Sequence, residues 1–299
     1  MKLLVTGALQ ATEKELNILR TLGMDITEHP NERDPVNCPE QYDAVICNGL
    51  FLYQDITAFS SLKYIQLTSA GYDRAPMEYI AQHGIEIHNA AGVYSIPMAE
   101  WTIMRILELY RNAAQLYENQ RSYLWRKDRD WCELYGKTVC IVGFGAYGKE
   151  VAQRLKAFGV TVHVVNRSPH DSPYIDRYFQ LGGLNTALAA ADIVSLAVAL
   201  TPKTHHMFGA AQFAAMKHGA LFVNAARGGL VDTGALVQAL RQGKLAGAAL
   251  DVFEQEPLDV NSPLWKLENV LLTPHNSFVG EKNHKRLMGV IIKNCKRIL

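Results

Sequence analysis

The sequence predicts an α/β protein of two units, each with a parallel β-sheet flanked by helices. Short apolar runs alternate with amphipathic segments along the chain, a pattern typical of strands joined by crossover helices. Later apolar runs recur roughly every 25 residues, which leaves room for a helix between neighbouring parallel strands. At 299 residues and 48% hydrophobic content, the chain is long enough for two hydrophobic cores.

The first part of the chain predicts a small α/β unit. Apolar runs rich in β-branched residues indicate strands, and longer amphipathic runs indicate helices. The predicted strands cover residues 2–6, 44–47, 64–68 and 85–88, and the predicted helices cover residues 12–22 and 77–83.

The second part opens with an amphipathic stretch at residues 97–120, which predicts one long helix. A polar and aromatic connector follows at residues 123–131, with tryptophans at Trp125 and Trp131. This connector is interpreted either as a surface loop or as an arm at a subunit interface. Further strands are expected at residues 138–143, 161–165, 193–197, 221–224, 247–250 and 270–272, and a last helix from about residue 280.

Composition excludes several classes of partner. A net charge of +1 gives no electrostatic case for binding nucleic acid or an anionic membrane. Five scattered cysteines show no metal-ligand spacing, so no metal is expected, and they fit a reducing compartment. The first residues are interrupted too soon for a signal peptide, and no apolar run is long enough to span a membrane. A cytoplasmic protein is therefore expected.

A glycine-rich loop follows the strand predicted at residues 138–143. Gly143 permits a tight turn, Gly145 allows the backbone to approach a pyrophosphate, and Gly148 allows the next helix to lie close to the sheet. The amides at the helix start, Ala146, Tyr147 and Gly148, then face the phosphates. The pattern predicts a Rossmann-like domain that binds a nicotinamide dinucleotide.

The end of the next strand indicates which nicotinamide. An acidic residue roughly 20 positions after the loop normally binds the adenosine ribose, but this chain has Asn166, Arg167 and Ser168 there. Arg167 can pair with a 2′-phosphate, and the other two can donate hydrogen bonds to it. We therefore expect a preference for NADP(H), with NAD(H) as an alternative cofactor.

Three later residues suit the reduction of a carbonyl group. Arg227, just past a predicted strand, can grip a carboxylate with its planar fork and stabilise a developing alkoxide. His275 follows another strand end and can deliver a proton near neutral pH. Glu256 lies near a third strand end, where a carboxylate beside the ring would orient His275 and favour its protonated form.

The order and spacing of these motifs resemble the D-isomer-specific 2-hydroxyacid dehydrogenases. The resemblance rests on Asn-Ala-Ala-Arg-Gly-Gly-Leu-Val-Asp around Arg227, Ala-Leu-Asp-Val-Phe-Glu-x-Glu-Pro-Leu around Glu256 and Thr-Pro-His-Asn-Ser around His275. It implies two Rossmann-like or flavodoxin-like domains with a cleft between them. The substrate-binding domain would cover residues 1–96 plus 281–299, and the dinucleotide-binding domain residues 97–280.

The resemblance also implies roles for particular residues. Arg227, Glu256 and His275 would be catalytic in hydride transfer between the nicotinamide and C2 of a 2-keto or 2-hydroxy acid. Arg227 and His275 would also contact the substrate. Further residues implied in binding are Asp251, Ala225 and Ala226 for the nicotinamide, and the amides of Ala70 and Gly71 for the substrate carboxylate. A homodimer is expected through the long helix and the connector.

The substrate and two other classes of function remain open. Asn48-Gly49-Leu50-Phe51 lacks the basic residue that would hold a phosphate, which disfavours an NAD-dependent phosphoglycerate dehydrogenase. Leu50, Phe51 and Tyr94 instead suggest an apolar pocket for glyoxylate, hydroxypyruvate or a branched 2-keto acid. The alternatives are a non-catalytic, corepressor-like dinucleotide sensor and a formate or phosphite enzyme. Glu256 argues against formate.

Overall fold

The computed structural model describes residues 1–298, which form two compact α/β units. The first unit contains Met1–Tyr94 and the segment from Gly280 onward, and the second contains Ser95–Val279. Every strand pair in both sheets is parallel. The predicted fold class of two parallel-sheet α/β units is therefore confirmed.

The strands and α-helices alternate along most of the chain. In order they are β1 (Lys2–Thr6), α1 (Glu13–Thr21), β2 (Asp25–His29), β3 (Ala44–Cys47), β4 (Tyr64–Leu67), α2 (Met77–Gln82), β5 (Glu86–His88), α3 (Ser95–Tyr110), α4 (Ala113–Arg121), β6 (Thr138–Val142), α5 (Ala146–Lys156), β7 (Thr161–Val165), β8 (Arg177–Phe179), α6 (Leu184–Ala190), β9 (Ile193–Leu196), α7 (Ala210–Ala215), β10 (Ala220–Asn224), α8 (Thr233–Arg241), β11 (Leu245–Leu250), β12 (Val270–Leu272) and α9 (Asn283–Ile298).

The sheet of the first unit has the strand order β2-β1-β3-β4-β5. The direction of winding reverses between β1 and β3, and such a reversal opens a crevice at the carboxyl ends of the two strands. The strands β3 and β4 are buried at every position, whereas the edge strand β2 has three exposed and two half-buried residues. Because β2 lacks an apolar run, it is not predicted from the sequence.

Helix α1 begins where local sequence dictates. The Thr12 side chain accepts a hydrogen bond from the Glu15 amide, and the Glu15 carboxylate accepts one from the Thr12 amide at 2.8 Å. This reciprocal capping box satisfies two donors that the first turn would otherwise leave unpaired. Leu16 and Leu19 then bury the helix against the first unit's core.

The sheet of the second unit has the order β12-β11-β10-β9-β6-β7-β8. Its winding reverses between β6 and β9, where a doubly wound sheet binds ligands. The predicted strands at 161–165 and 270–272 coincide with β7 and β12, and the others differ by one or two residues at their ends. The three-residue strand β8 was missed because it is too short to give a periodic signal.

The prediction of one helix over residues 97–120 is wrong. The segment forms two helices, α3 and α4, and between them Asn112 adopts a left-handed conformation with φ of 47°. Asparagine tolerates this conformation better than most residues, so the chain can break there without glycine. Helix α3 has seven buried residues, whereas Asn119 alone is buried in α4.

The connector at residues 123–131 contains no helix or strand. The Trp125 side chain is 92% exposed, while the Arg111 guanidinium lies 5.7 Å from the centre of the Trp131 ring. Within residues 1–298, none of the helices combines the length and apolar character needed to cross a bilayer. In the same part of the chain, no cluster of three or more His, Cys, Asp or Glu residues could hold a metal ion.

Candidate active site

Two glycines of the loop after β6 are required by packing. Gly143 has φ of +100°, and a Cβ atom there would lie 2.4 Å from the Ala197 carbonyl oxygen at the end of β9. A Cβ on Gly148 would lie 2.4 Å from the Gly143 carbonyl oxygen. A side chain at either position would push the start of α5 away from the sheet. Both glycines therefore hold the loop tightly at the reversal point between β6 and β9.

Gly145 has a different surrounding. It caps the N-terminus of α5, and a Cβ built there would meet no described atom within 4 Å. Packing does not explain this glycine, but a ligand that approaches the backbone at the helix start would. The loop therefore fits the pyrophosphate of a dinucleotide, with the amides of Ala146, Tyr147 and Gly148 as the available donors.

The Tyr147 side chain packs within the second unit. Its hydroxyl lies 2.7 Å from the Thr102 hydroxyl of α3. Burial raises the pKa of Tyr147 to about 12, so the phenol is neutral at physiological pH. Tyr147 can therefore offer a dinucleotide its backbone amide, while its ring joins α5 to α3.

The loop after β7 leaves one cation available. Asn166 is fixed locally, because its side-chain amide donates to the Ser168 carbonyl at 3.1 Å and its own carbonyl accepts from the Tyr178 hydroxyl at 2.8 Å. Arg167 is exposed, and within residues 1–298 its guanidinium has no hydrogen-bond or ion-pair partner. The Gly143 amide donates to the Val165 carbonyl at 2.8 Å, which places this loop beside the glycine loop.

Arg227 lies just beyond β10 in a tightly held loop. The Asn224 side chain accepts from the Ala226 amide at 3.0 Å and donates to the Arg227 carbonyl at 2.9 Å. A Cβ on Gly228 would lie 1.8 Å from the backbone carbon of Phe253. Only glycine allows this contact between the loops after β10 and β11, so the Arg-Gly pair fixes Arg227 beside the loop that carries Glu256.

Glu256 and His275 form a direct pair across the next two strand ends. The Glu256 Oε2 atom lies 2.7 Å from the His275 Nδ1 atom, and Glu256 Oε1 accepts from the Phe253 amide at 3.0 Å. Because a carboxylate can only accept, the Nδ1 atom carries the proton in this pair. The loops after β10, β11 and β12, which are adjacent strands, thus carry Arg227, Glu256 and His275.

Asp251 anchors the loop that presents His275. It is fully buried, and its carboxylate accepts from the Thr273 hydroxyl at 2.6 Å and from the amides of Asn276 and Ser277 at 3.0 and 2.9 Å. The family resemblance implies that Asp251 also contacts the nicotinamide. Such a contact would add to the three hydrogen bonds that this carboxylate already accepts. Ala225 and Ala226, implied with Asp251, are buried in the loop before Arg227.

A second Glu–His pair lies beside the first and was missed by the sequence analysis. Glu254 bonds to the His206 ring and accepts from the Thr233 amide at 3.1 Å. Burial raises the pKa of Glu254, but the hydrogen bonds from Thr233 and His206 outweigh it and leave the pKa below its usual value. No local pattern indicates this pair, because 48 residues separate its members.

The loop after β4 in the first unit has free backbone donors. The carbonyls of Ala70 and Gly71 accept from the Asn89 side chain at 2.6 Å and the Ser69 hydroxyl at 3.1 Å. Among residues 1–298, the amides of Ala70 and Gly71 have no acceptor. These two amides are therefore available to a carboxylate.

Comparison with known proteins agrees with this geometry. A model of the D-isomer specific 2-hydroxyacid dehydrogenase, NAD binding domain, matches residues 103–277. The chain belongs to this family of NAD(P)-dependent 2-hydroxyacid dehydrogenases. The matched segment contains the glycine loop, Arg227, Glu256 and His275.

Individual relatives of this dehydrogenase extend the similarity to the whole chain. It is 34% identical over 306 aligned residues, 100% of its length, to a D-3-phosphoglycerate dehydrogenase of Methanocaldococcus jannaschii, of which it spans only 57%. It is 36% identical to a glyoxylate reductase of Thermofilum pendens, over 81% of this chain and 73% of that one. A crystal structure from Xanthobacter autotrophicus Py2, a family member in complex with NADPH and MES, matches with a TM-score of 0.82 and 28% identity over 99% and 94% of the two chains.

The expected apolar substrate pocket of this dehydrogenase is wrong in part. Leu50 has no exposed surface and belongs to the core of the first unit. Phe51 packs edge-on against Phe59 with ring centres 5.5 Å apart, and the Tyr94 hydroxyl donates to the Thr68 carbonyl. Leu50 is apolar because it belongs to the core beneath the strand end, so it does not line a substrate pocket.

Proposed function

We propose that this dehydrogenase transfers a hydride between NADP(H) and the C2 carbon of a small 2-keto or D-2-hydroxy acid. The observation that carries the proposal is the His275–Glu256 pair at 2.7 Å, held on the strand end next to the loop of Arg227. A clamp for a carboxylate, an oriented proton donor and a dinucleotide loop are the three requirements of this reduction.

Each residue has a distinct task in the proposed reaction. Arg227 binds the substrate carboxylate and stabilises negative charge on the ketone oxygen. His275, oriented by its contact with Glu256, gives the proton on Nε2 to that oxygen. A nicotinamide dinucleotide held by the loop of Gly143, Gly145 and Gly148 would supply the hydride to C2. The keto acid gains one hydride and one proton, and in the oxidation direction His275 takes the proton back.

The proposed preference for NADP(H) rests on Arg167. Its guanidinium is exposed and has no partner within residues 1–298, and residues 166–168, directly after β7, include no carboxylate to hold a ribose hydroxyl. A guanidinium matches the geometry of a phosphate dianion. The Xanthobacter relative in complex with NADPH supports this choice.

A second candidate activity is oxidation of a phosphorylated 2-hydroxy acid. The 34% identity with the Methanocaldococcus phosphoglycerate dehydrogenase over the whole chain favours it. The absence of a basic residue in Asn48-Gly49-Leu50-Phe51 does not exclude it, because the structure brings arginines from other loops to the same strand end.

We further propose that the enzyme acts in the cytoplasm as a homodimer. The connector and α4 expose large hydrophobic side chains, with Tyr123 and Trp125 97% and 92% exposed, and a second copy of the chain would cover them. Light scattering should give twice the chain mass at micromolar concentration and the single mass for Trp125→Ser, with Val260→Ser as an exposed control. A monomer mass for the wild type would contradict the proposal.

The proposed activity is tested by oxidation of NADPH and of NADH against a panel of keto acids. The panel contains glyoxylate, hydroxypyruvate, pyruvate, 2-ketoisocaproate and phenylpyruvate. Turnover with NADPH favoured would support both the reaction and the cofactor. Binding of NADPH without turnover of any 2-keto acid would instead indicate a dinucleotide sensor.

A further inference from the structure

The first unit contains a cavity of about 410 Å³ at the carboxyl edge of its sheet. Ala8, which follows β1, and Asn48 and Gly49, which follow β3, line it. These two strands are the neighbours between which the winding of the sheet reverses. An open parallel sheet binds its ligands at this point, so the cavity lies where the fold itself predicts a ligand.

Two arginines line this cavity. Arg33 comes from the loop after β2 and Arg74 from the loop after β4. The Arg33 guanidinium lies 5.5 Å from the centre of the Tyr53 ring. Within residues 1–298, neither arginine has an ion-pair partner. Two guanidinium groups around one cavity favour an anion, and their planar donors match a carboxylate or a phosphate.

One carboxylate, Glu32, also lines the cavity, but its oxygens are already engaged. It accepts from the Thr6 hydroxyl at 2.7 Å and from the amides of Asn48 and Gly49 at 2.7 and 2.8 Å. Glu32 therefore fixes the strand end and leaves one positive charge in excess around the cavity.

The cavity shares its sheet edge with the free amides of Ala70 and Gly71. Strands β3 and β4 are adjacent, with Cys47 opposite Leu67, and the Thr68 amide donates to the Cys47 carbonyl at 2.8 Å. A substrate carboxylate bound to the Ala70 and Gly71 amides would thus lie at the end of β4. The adjacent end of β3 carries Asn48 and Gly49. One acid could engage both places if it carried an anionic group at each end.

We propose that the cavity bounded by Arg33 and Arg74 receives a second anionic group, at the far end of the 2-keto or 2-hydroxy acid. This inference rests on the proposed function and narrows it to acids with a distal carboxylate or phosphate. It replaces the expectation of an apolar substrate side chain. Leu50, on which that expectation partly rested, belongs to the core of the first unit. The arginines come from two loops distant in sequence, so the segment after β3 alone does not indicate them.

The test compares matched substrates in the full-length protein. Reduction of 2-oxoglutarate is measured against 2-oxohexanoate, and reduction of phosphohydroxypyruvate against hydroxypyruvate. At least one anionic member should have the higher kcat/KM, by about 10- to 100-fold for each charged contact. Arg33→Gln and Arg74→Gln should each reduce that advantage, and the double variant should abolish it.

Arg297→Gln serves as the control, since Arg297 is an exposed arginine in the last turn of α9. It should leave both ratios unchanged, and thermal unfolding confirms that each variant folds. Equal kcat/KM within both pairs, or an advantage that survives the double variant, would overturn the proposed subsite while the proposed reaction stands. If no 2-keto acid is reduced, the proposed function fails and the subsite inference fails with it. If only one of the two anionic substrates is favoured, that substrate shows whether the cavity accepts a carboxylate or a phosphate.

Discussion

The His275 Nδ1 atom lies 2.7 Å from Glu256 Oε2, and the other Glu256 oxygen is held by its own loop. The two side chains are 31% and 35% exposed, so they are accessible to a ligand. His275 adopts a left-handed backbone conformation with φ of 50°, which is uncommon outside glycine. Its amide donates to the carbonyls of Asp251 and Thr273, and these bonds fix the ring against Glu256.

Replacing the partner of His275 should lower the rate of reduction. The Glu256 carboxylate accepts the hydrogen on His275 Nδ1 and so fixes the ring with Nε2 free for a substrate. Glu256→Gln keeps an acceptor oxygen but replaces a charge-assisted hydrogen bond with a weaker neutral one. The kcat for reduction should therefore fall about 10-fold, while the Kd for NADPH stays unchanged. An unchanged kcat would mean that Glu256 has another role.

Replacing Arg167 should change the choice of cofactor. A single hydrogen bond to a charged group contributes about 1.5–3 kcal/mol, which corresponds to about 10- to 100-fold in kcat/KM. Arg167→Ala should lower the ratio of kcat/KM for NADPH over NADH by that factor, mainly through KM for NADPH. Arg129→Ala, which removes an exposed arginine of the connector, is the control. An unchanged ratio after Arg167→Ala would exclude contact with the 2′-phosphate.

The stability of the first unit should depend on Glu15 in a defined pH range. Partial burial raises the pKa of Glu15, but hydrogen bonds from His284 of α9 and from Thr12 outweigh it and lower the pKa to about 2 from 4.5. A lowered carboxyl pKa stabilises the folded state above pH 4.5, and this contribution disappears as the pH falls toward 2. Glu15→Gln should therefore lower the Tm at pH 7, and the difference from wild type should narrow between pH 4.5 and 2. A constant difference would contradict this.

Local rules predicted the parts of the fold and site that depend on strand ends. Apolar runs located most strands, and glycines at Gly143 and Gly148 marked a turn that packing indeed requires. Arg227, Glu256 and His275 each follow the end of a predicted strand. They were expected to lie together because neighbouring parallel strands present their carboxyl ends at one edge of the sheet. The contact between Glu256 and His275 follows from this shared edge.

Other features depend on tertiary context. The break at Asn112 lies within an amphipathic pattern, and residue type alone does not separate a helical asparagine from a left-handed one. Leu50 follows a strand end, yet it faces the core instead of a ligand. Arg33 and Arg74 are 41 positions apart in the sequence and meet at one cavity only because the winding of the sheet brings their loops together.

The most direct test of the proposed reaction uses NADPH deuterated at the transferable position of its nicotinamide, with wild-type protein and His275→Ala. The wild type should produce a D-2-hydroxy acid that carries deuterium at C2, as mass spectrometry of the product would show. His275→Ala should bind NADPH normally and lose about 10²–10⁴ in kcat. Product without deuterium at C2, or near-normal turnover by His275→Ala, would contradict the assignment of His275 as the proton donor in a direct hydride transfer.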